Sequence, residues 1–359
     1  EESMAASVTA AERTASAGGD GPIVAWLWLT AALVLAMIIV GGATRLTGSG
    51  LSITEWRPIM GIIPPLTDDA WQVAFAKYKE IPQYKLLNKG MSLDAFKTIF
   101  WWEWGHRALG RLIGIVFGLP LALLWWKGRI DRRLTRQLTG ILVLGALQAG
   151  AGWYMVASGL ADRVSVSQYR LAIHLSIAFV ILGALVWVAL GLGRGRDARP
   201  PHRLTLSSSG GPWAFALLAL LMIQVVAGAL VAGMKAGLLY NSWPLMDGRL
   251  IPSGLFAKEP WWVNLGESML TVQFNHRLLA YILLIAAWAH ALHLMRRDAT
   301  APLALSALAL ALAMTVQAAV GIWTLLAQVP LSLGLIHQGG AAIVFAMAVW
   351  HLHRARVSA

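Results

Sequence analysis

The chain has 359 residues, about two domains by length alone. Hydrophobic classes make up 58% of it and charged residues 13%, with a mean hydropathy of +0.64, which excludes a soluble globule and predicts an integral membrane protein. The absence of cysteine excludes disulfides, thiolate metal sites, thioether-linked heme and cysteine nucleophiles, and the net charge of +12 has to be judged by where it falls.

Residues 1–22 are small, polar and unpatterned and read as a mobile cytoplasmic tail without a cleavable signal. Eight apolar stretches then reach the roughly 20 residues a bilayer crossing needs, near 23–43, 104–126, 136–157, 171–192, 212–234, 275–295, 302–327 and 333–352. Two long connections, about 45–103 and 235–274, lie on one side. The first predicts a helix opening at Thr67-Asp68-Asp69 with Trp71, Phe75 and Tyr78 on one side, and another starting at Ser92 and running into span two. Two readings of these helices stay open: interfacial helices with aromatic anchors, or a lid over something bound at the outer surface. Within span two, Gly110, Gly114 and Gly118 form a ridge suited to close helix contact.

The short connections sort by charge. Lys127, Arg129, Arg132, Arg133 and Arg136 follow span two; Arg194, Arg196, Arg199 and Arg203 follow span four; Arg296 and Arg297 follow span six; Arg354 and Arg356 follow span eight. Against these 13 cations stand only Asp131, Asp197 and Asp298, while the opposite short connection, 328–332, is uncharged. By the positive-inside rule both termini are cytoplasmic, and the basic excess is a topology signal with no need of nucleic acid.

The chain is also a duplication. Gly42-Ala43 matches Gly228-Ala229, Trp56-Arg57-Pro58-Ile59-Met60 matches Trp243-Pro244-Leu245-Met246, and Ile63-Pro64 matches Ile251-Pro252. His106-Arg107 pairs with His276-Arg277, Gln148 with Gln317, and His174 with His337. Four spans per half give both halves the same orientation, which disfavours an inverted-repeat transporter. The expected fold is an all-α integral membrane protein of eight transmembrane helices, built as two tandem pseudo-twofold-related four-helix bundles. The N-terminal bundle is 23–193, a cytoplasmic linker 194–211, the C-terminal bundle 212–353 and a tail 354–359.

Nine histidines divide into two groups. His290, His293, His351 and His353 lie at helix ends beside arginines and His202 lies in a connection, so these are expected to be solvated or interfacial. His106, His174, His276 and His337 lie one per even-numbered span, 17–21 residues from the first cytoplasmic cation. At about 1.5 Å per residue they share one layer roughly 25–30 Å from the cytoplasmic edge. Four imidazoles at one depth of a membrane are costly and point to function. Without cysteine and with few nearby carboxylates, zinc or di-iron is poorly supplied, whereas opposed neutral imidazoles suit the two axial positions of a heme iron. Each half would then hold one porphyrin. Arg107 and Arg277 follow the histidines, and Arg45 and Arg111 lie near the same layer; propionate binding and interfacial snorkelling are both open for them.

The halves stop matching at Glu103 and Gln273, each three residues before its histidine. At that spacing each shares a helix face with the imidazole, so the first half has an ionisable group where the second has an amide that cannot exchange a proton. This predicts a reactive first bundle and an electron-carrying second one, the alternative being a plain Glu103–Arg107 ion pair. A non-enzymatic cytochrome b-type carrier would need the same histidines without Glu103. A parallel-repeat transporter would need polar residues along a midplane route, where the spans supply little beyond Gln148, Gln224 and Gln317.

The runs Phe100-Trp101-Trp102-Glu103-Trp104-Gly105-His106-Arg107, Gly41-Gly42-Ala43-Thr44-Arg45-Leu46-Thr47-Gly48, Glu55-Trp56-Arg57-Pro58 and Gln273-Phe274-Asn275-His276-Arg277 closely resemble the heme A synthase family over essentially residues 23–353. The lack of cysteine matches its cysteine-free proteobacterial and mitochondrial branch. The resemblance implies an eight-helix pseudo-twofold enzyme of the bacterial inner membrane that oxidises the C8 methyl group of heme O to the formyl group of heme A for cytochrome oxidase. It implies four heme-ligating histidines at His106, His174, His276 and His337, and an essential glutamate at Glu103. It places a low-spin heme B in the C-terminal half and the substrate heme O, with product heme A, in the N-terminal half. As partners it implies heme O, the lipid bilayer and an electron donor of unspecified identity. Contact with the heme O-making protoheme farnesyltransferase and self-association into a homo-oligomer stay open.

Overall fold

The computed structural model describes residues 20–56, 60–193, 210–297 and 301–357. Residues 1–19 of the expected tail, Arg57-Pro58-Ile59, the linker residues 194–209 with His202, Asp197 and their arginines, and Asp298 lie outside the described residues. Among the described residues, eight helices are long and apolar enough to cross a membrane. Spans one to eight are Gly21–Leu46, Leu93–Trp126, Arg132–Asp162, Gln168–Leu192, Gly211–Met234, Met269–Arg296, Ala301–Leu326 and Leu331–Val357.

Several spans outrun their apolar stretch because polar capping residues, invisible to hydropathy, set where a helix begins. Span two starts eleven residues before its apolar run: Ser92 accepts a hydrogen bond from the Ala95 amide, and Phe96, Ile99 and Phe100 bury the extension. Span three starts at the Asp131 cap, which accepts from the Leu134 amide at 2.7 Å.

Span one packs on spans two, four and eight; span five packs on six, eight and four; spans four and eight pack on each other. Exchanging one with five and four with eight maps these contacts onto themselves, so the pseudo-twofold axis runs between spans four and eight. At that axis Phe179 and Phe345 meet edge to face at 5.3 Å, and Gly183 admits the Phe345 ring. Gln338 reaches across the halves to donate to the Ile38 carbonyl at 2.6 Å, directly over Gly42. Span four is the most enclosed helix, and its apolar all-round sequence suits that position.

The outer pairs of helices differ between the halves. Spans six and seven pack closely along their length, whereas spans two and three touch over few residues. Of the most apolar stretches of spans two and three, 11% and 6% are buried, against 28% and 33% for spans six and seven. The expected glycine ridge of span two is corrected accordingly: Gly110 faces Met37, whose Cε lies 3.3 Å from an added Cβ, but Gly114 and Gly118 border open space.

The first long connection folds inward. Thr67 caps the helix Asp68–Lys79, whose Trp71, Phe75 and Tyr78 are buried as predicted. Trp71 lies edge-on to Phe100 at 4.9 Å and Phe75 stacks on Phe96 at 5.0 Å, so the aromatics pack on the extension of span two and form a cover. The Tyr78 hydroxyl donates to Gln83 Oε1 at 3.0 Å and accepts from Asn88 at 2.7 Å. Burial pushes its phenol up, the Asn88 bond opposes this, and the charge of Glu103 adds to the rise, so Tyr78 stays a neutral donor at physiological pH.

The expectation for the helix-end histidines holds for the partly exposed His293 and is overturned for the other three. His290, His351 and His353 are 2%, 0% and 4% exposed. His290 and His351 lie where spans six, seven and eight meet, and His353 lies edge-on to Trp187 of span four at 5.0 Å. The Ser306 hydroxyl donates to the Leu303 carbonyl and therefore accepts from His351 Nδ1 at 2.8 Å; His351 Nε2 in turn accepts from His290 Nε2 at 2.9 Å. This chain ties three spans together. His351→Leu should strand two buried polar groups and cost about 1–3 kcal/mol, read as a lower thermal midpoint in detergent. Adding His290→Leu should cost less than the sum of the two single changes; simple additivity would show that the rings do not act as a pair.

Candidate heme centres

Each of the four layer histidines rests on a glycine of the neighbouring odd-numbered span. A Cβ added to Gly41 would stand 3.1 Å from His106 Nε2, and one on Gly152 would stand 2.9 Å from His174 Cε1. Gly228 and Gly321 meet Cε1 of His276 and His337 at 3.1 and 2.7 Å. Only glycine lets an imidazole lie this close to a helix backbone. The glycine under His106 is Gly41, one residue before the position that the sequence repeat aligns with Gly228.

Three of these glycines follow a glutamine by four residues: Gln148, Gln224 and Gln317. That is one helical turn, so amide and glycine share a face. Gln317 Nε2 lies 3.0 Å from His337 Nδ1 and donates to the His337 carbonyl at 2.7 Å. Gln224 Nε2 lies 3.1 Å from His276 Nδ1 and donates to the His276 carbonyl at 3.1 Å. The glutamines read from sequence as scarce polar residues on a midplane route therefore belong to the histidine layer. In span one the same position is Met37.

In the C-terminal half His276 and His337 face each other with ring centroids 6.5 Å apart and planes at 85°. The hydrogen-bonded pair His290–His351 has centroids only 5.1 Å apart. The wider spacing accommodates one metal atom between the rings, with two metal–nitrogen bonds of about 2 Å. Among the described residues no three His, Asp or Glu side chains converge as a metal site. Two imidazoles alone suit an iron that brings its other four ligands in a macrocycle. Gln224 Oε1 is buried without a partner beside His276. Turned toward Nδ1, it would accept the proton that an iron-ligating imidazole carries there. The residues present fit a bis-histidine heme.

The N-terminal pair is arranged less firmly. His106 and His174 rest on Gly41 and Gly152 of spans one and three. Gln148 Nε2, however, lies 3.3 Å from His174 Nε2, the nitrogen a metal would take, while His174 Nδ1 and Gln148 Oε1 are buried without partners.

Glu103 is 2% exposed. Its Oε2 accepts from the Ser52 hydroxyl at 2.7 Å and the Ile53 amide at 2.8 Å, and its Oε1 accepts from Arg107 at 2.5 Å. The ion pair weighed as the alternative is present, within a larger cradle from the first connection. Gln273, its counterpart, donates to the Tyr240 carbonyl at 2.9 Å. The arginines turn to backbone: Arg107 donates to the Ile53 and Glu55 carbonyls, Arg277 to those of Tyr240 and Ser242, and Arg45 to that of Gly233 across the halves at 2.8 Å. Nε of Arg45 and of Arg277 remains buried without a partner, and Arg111 lies one turn further along span two, partly exposed. Sequence reasoning named the three glutamines but missed that they and the glycines one turn on receive the imidazoles; the recurring Gln-x-x-x-Gly spacing was the signal that could have found this.

Gly321→Ala should force a methyl group against His337 and lower heme bound in the C-terminal bundle, seen as lost low-spin absorbance. Gly105→Ala, where no atom lies within 4 Å, should leave the spectrum unchanged. Equal spectra for both would refute the ring-on-glycine packing.

A family model described as cytochrome oxidase assembly protein, COX15-CtaA, matches residues 24–349. The chain is similar to curated proteins named heme A synthase from Parvibaculum lavamentivorans (53% identity over 92% of this chain and 93% of that one) and Rhizobium meliloti (52%, covering 90% and 88%). The protein of that name from Methylobacterium sp. is 54% identical, covering 91% and 90%. An eight-span duplicated bundle with paired imidazoles, matched along nine tenths of its length, belongs to the COX15-CtaA family of cytochrome oxidase assembly proteins.

Proposed function

We propose that this multi-pass membrane protein is a heme A synthase that oxidises the C8 methyl group of heme O to a formyl group, giving heme A for cytochrome oxidase. The observation that carries the reading is the asymmetry of two otherwise matching imidazole pairs. The first has a buried, cradled carboxylate one turn from its histidine, and the second has an amide there. The relatives named heme A synthase support it.

The C-terminal pair is the site for a resident heme B, because its two rings face each other 6.5 Å apart and the amides of Gln224 and Gln317 lie within hydrogen-bond reach of their Nδ1 atoms. Bound there by His276 and His337, a heme B would supply one-electron redox chemistry, passing the electrons released by the oxidation to an acceptor outside the chain. The N-terminal pair, His106 and His174, receives heme O. Methyl to formyl is a four-electron oxidation through an alcohol; written with water as the oxygen source, it releases four protons. Oε2 of Glu103 is occupied by two donors, whereas Oε1 meets only Arg107 and is the oxygen free to take a proton from the reacting carbon. The aromatic cover of Trp71, Phe75 and Tyr78 keeps bulk water from that carboxylate. Arg45, Arg107, Arg111 and Arg277 belong to this reading as the cations near the histidine layer that would pair with propionates.

The basic connections put both termini in the cytoplasm and the heme layer toward the outer face of the inner membrane. A farnesyltransferase that makes heme O is the partner its supply requires, and self-association is compatible with the exposed apolar helices.

Glu103→Ala should keep heme binding while stopping formyl production, measured by mass analysis of extracted heme; undiminished heme A would remove Glu103 from the chemistry. His276→Ala or His337→Ala should abolish the low-spin heme B spectrum. Purified protein that yields heme B alone, with neither heme O nor heme A, would favour a plain electron carrier.

A further inference from the structure

The two bundles share one plan but differ along one seam. In the second bundle the outer helices, spans six and seven, close on each other; in the first, spans two and three part after a short contact. Six glycines of the parted pair border open space: Gly105, Gly114 and Gly118 on span two, and Gly140, Gly145 and Gly150 on span three. None has a heavy atom within 4 Å of an added Cβ, whereas span seven's Gly321 is pressed against His337.

Span three also carries an exposed small residue beside the imidazole layer. Gly145 precedes Gln148 by three residues and Gly152 by seven, so all three share one face of span three. Gln148 and Gly152 on that face contact His174, and Gly145, one turn away, is exposed. The imidazoles behind this seam are also the less firmly held pair. His174 Nδ1 is without a partner, and Met37 stands where the second bundle has Gln224. An open seam and unanchored ligands in one half, with a closed seam and anchored ligands in the other, separate a site that exchanges its occupant from one that retains it.

We propose that the seam between spans two and three is a lateral entrance, through which a porphyrin bearing a long isoprenoid chain passes between the bilayer and the His106–His174 site. This rests on the proposed function and adds the route to it. Moving such a chain through water would expose apolar carbon at about 0.8 kcal/mol per CH₂, whereas lateral passage keeps it in hydrocarbon. A parted pair of helices costs little in lipid, where no hydrophobic force draws helices together. Gly145, exposed and without a side chain beside the Gln148–Gly152 contact with His174, leaves room for the macrocycle.

The full-length protein, with its C-terminal site loaded, is mixed with lipid vesicles carrying heme O, and uptake is followed by absorbance. Gly145→Trp should slow uptake about tenfold, the effect of roughly 1.4 kcal/mol on the barrier. Gly145→Ala should match the parent, and the low-spin signal of the second bundle should persist in both. Because the chain has no cysteine, Gly145→Cys provides a second reading: bound heme O should protect it from N-ethylmaleimide. That protection decides the matter if the tryptophan variant fails to fold. Uptake unchanged by Gly145→Trp, or a cysteine alkylated equally with and without heme O, would overturn the entrance, as for a seam filled by lipid or by a second copy of the chain. Parent protein that takes up no heme O would overturn the functional reading, and the entrance with it.

Discussion

An imidazole placed at membrane depth has to find polar partners without water, and the arrangement of this protein follows from how that is met. Each of four rings lies on a glycine of the adjacent helix, where the missing Cβ lets the heterocycle approach the backbone. For His276 and His337 a glutamine one turn away adds hydrogen bonds to Nδ1 and to the histidine's own carbonyl. Ring, amide and glycine constrain one another across two helices, so the interhelical distance is set by the site as much as by the lipid. The central spans one, four, five and eight supply the rigid frame, and the outer spans carry the variation between halves.

That variation is concentrated where the chemistry would differ. Duplication explains two imidazole pairs at one depth, and divergence explains the rest. Glu103 stands opposite Gln273, Met37 takes the place of a glutamine, and the outer helices part in one half and close in the other. The arginines illustrate how shared parts are reused. Arg107 and Arg277 both clamp carbonyls of the connection that precedes their span, but only Arg107 also meets a carboxylate. A single substitution in the repeat thus converts a structural clamp into part of an acid's cradle.

Much of this was legible before any coordinates. The eight spans, the duplication, the layer of four histidines and the Glu103/Gln273 mismatch all depend on spacing along single helices, and a helix translates spacing into depth and face directly. The inward-facing Trp71, Phe75 and Tyr78 were readable for the same reason. The misreadings share the opposite cause. His290, His351 and His353 follow the pattern of interfacial residues, yet lie buried because spans six, seven and eight meet at the first two and span four covers the third. Gly114 and Gly118 follow the pattern of a packing ridge but face open space because span three stands away. Gln148, Gln224 and Gln317 gain meaning only from the ring on the next helix.

By itself the sequence determined that the chain spans a membrane eight times, that it repeats once, and that its imidazoles share one depth, since each of these is a property of local composition or of periodicity within a helix. Only the tertiary structure decided which imidazoles are anchored, which glycines are occupied and where the bundle parts. Those depend on distances between helices far apart in the chain, which lipid-exposed surfaces, all alike in hydropathy, do not encode locally.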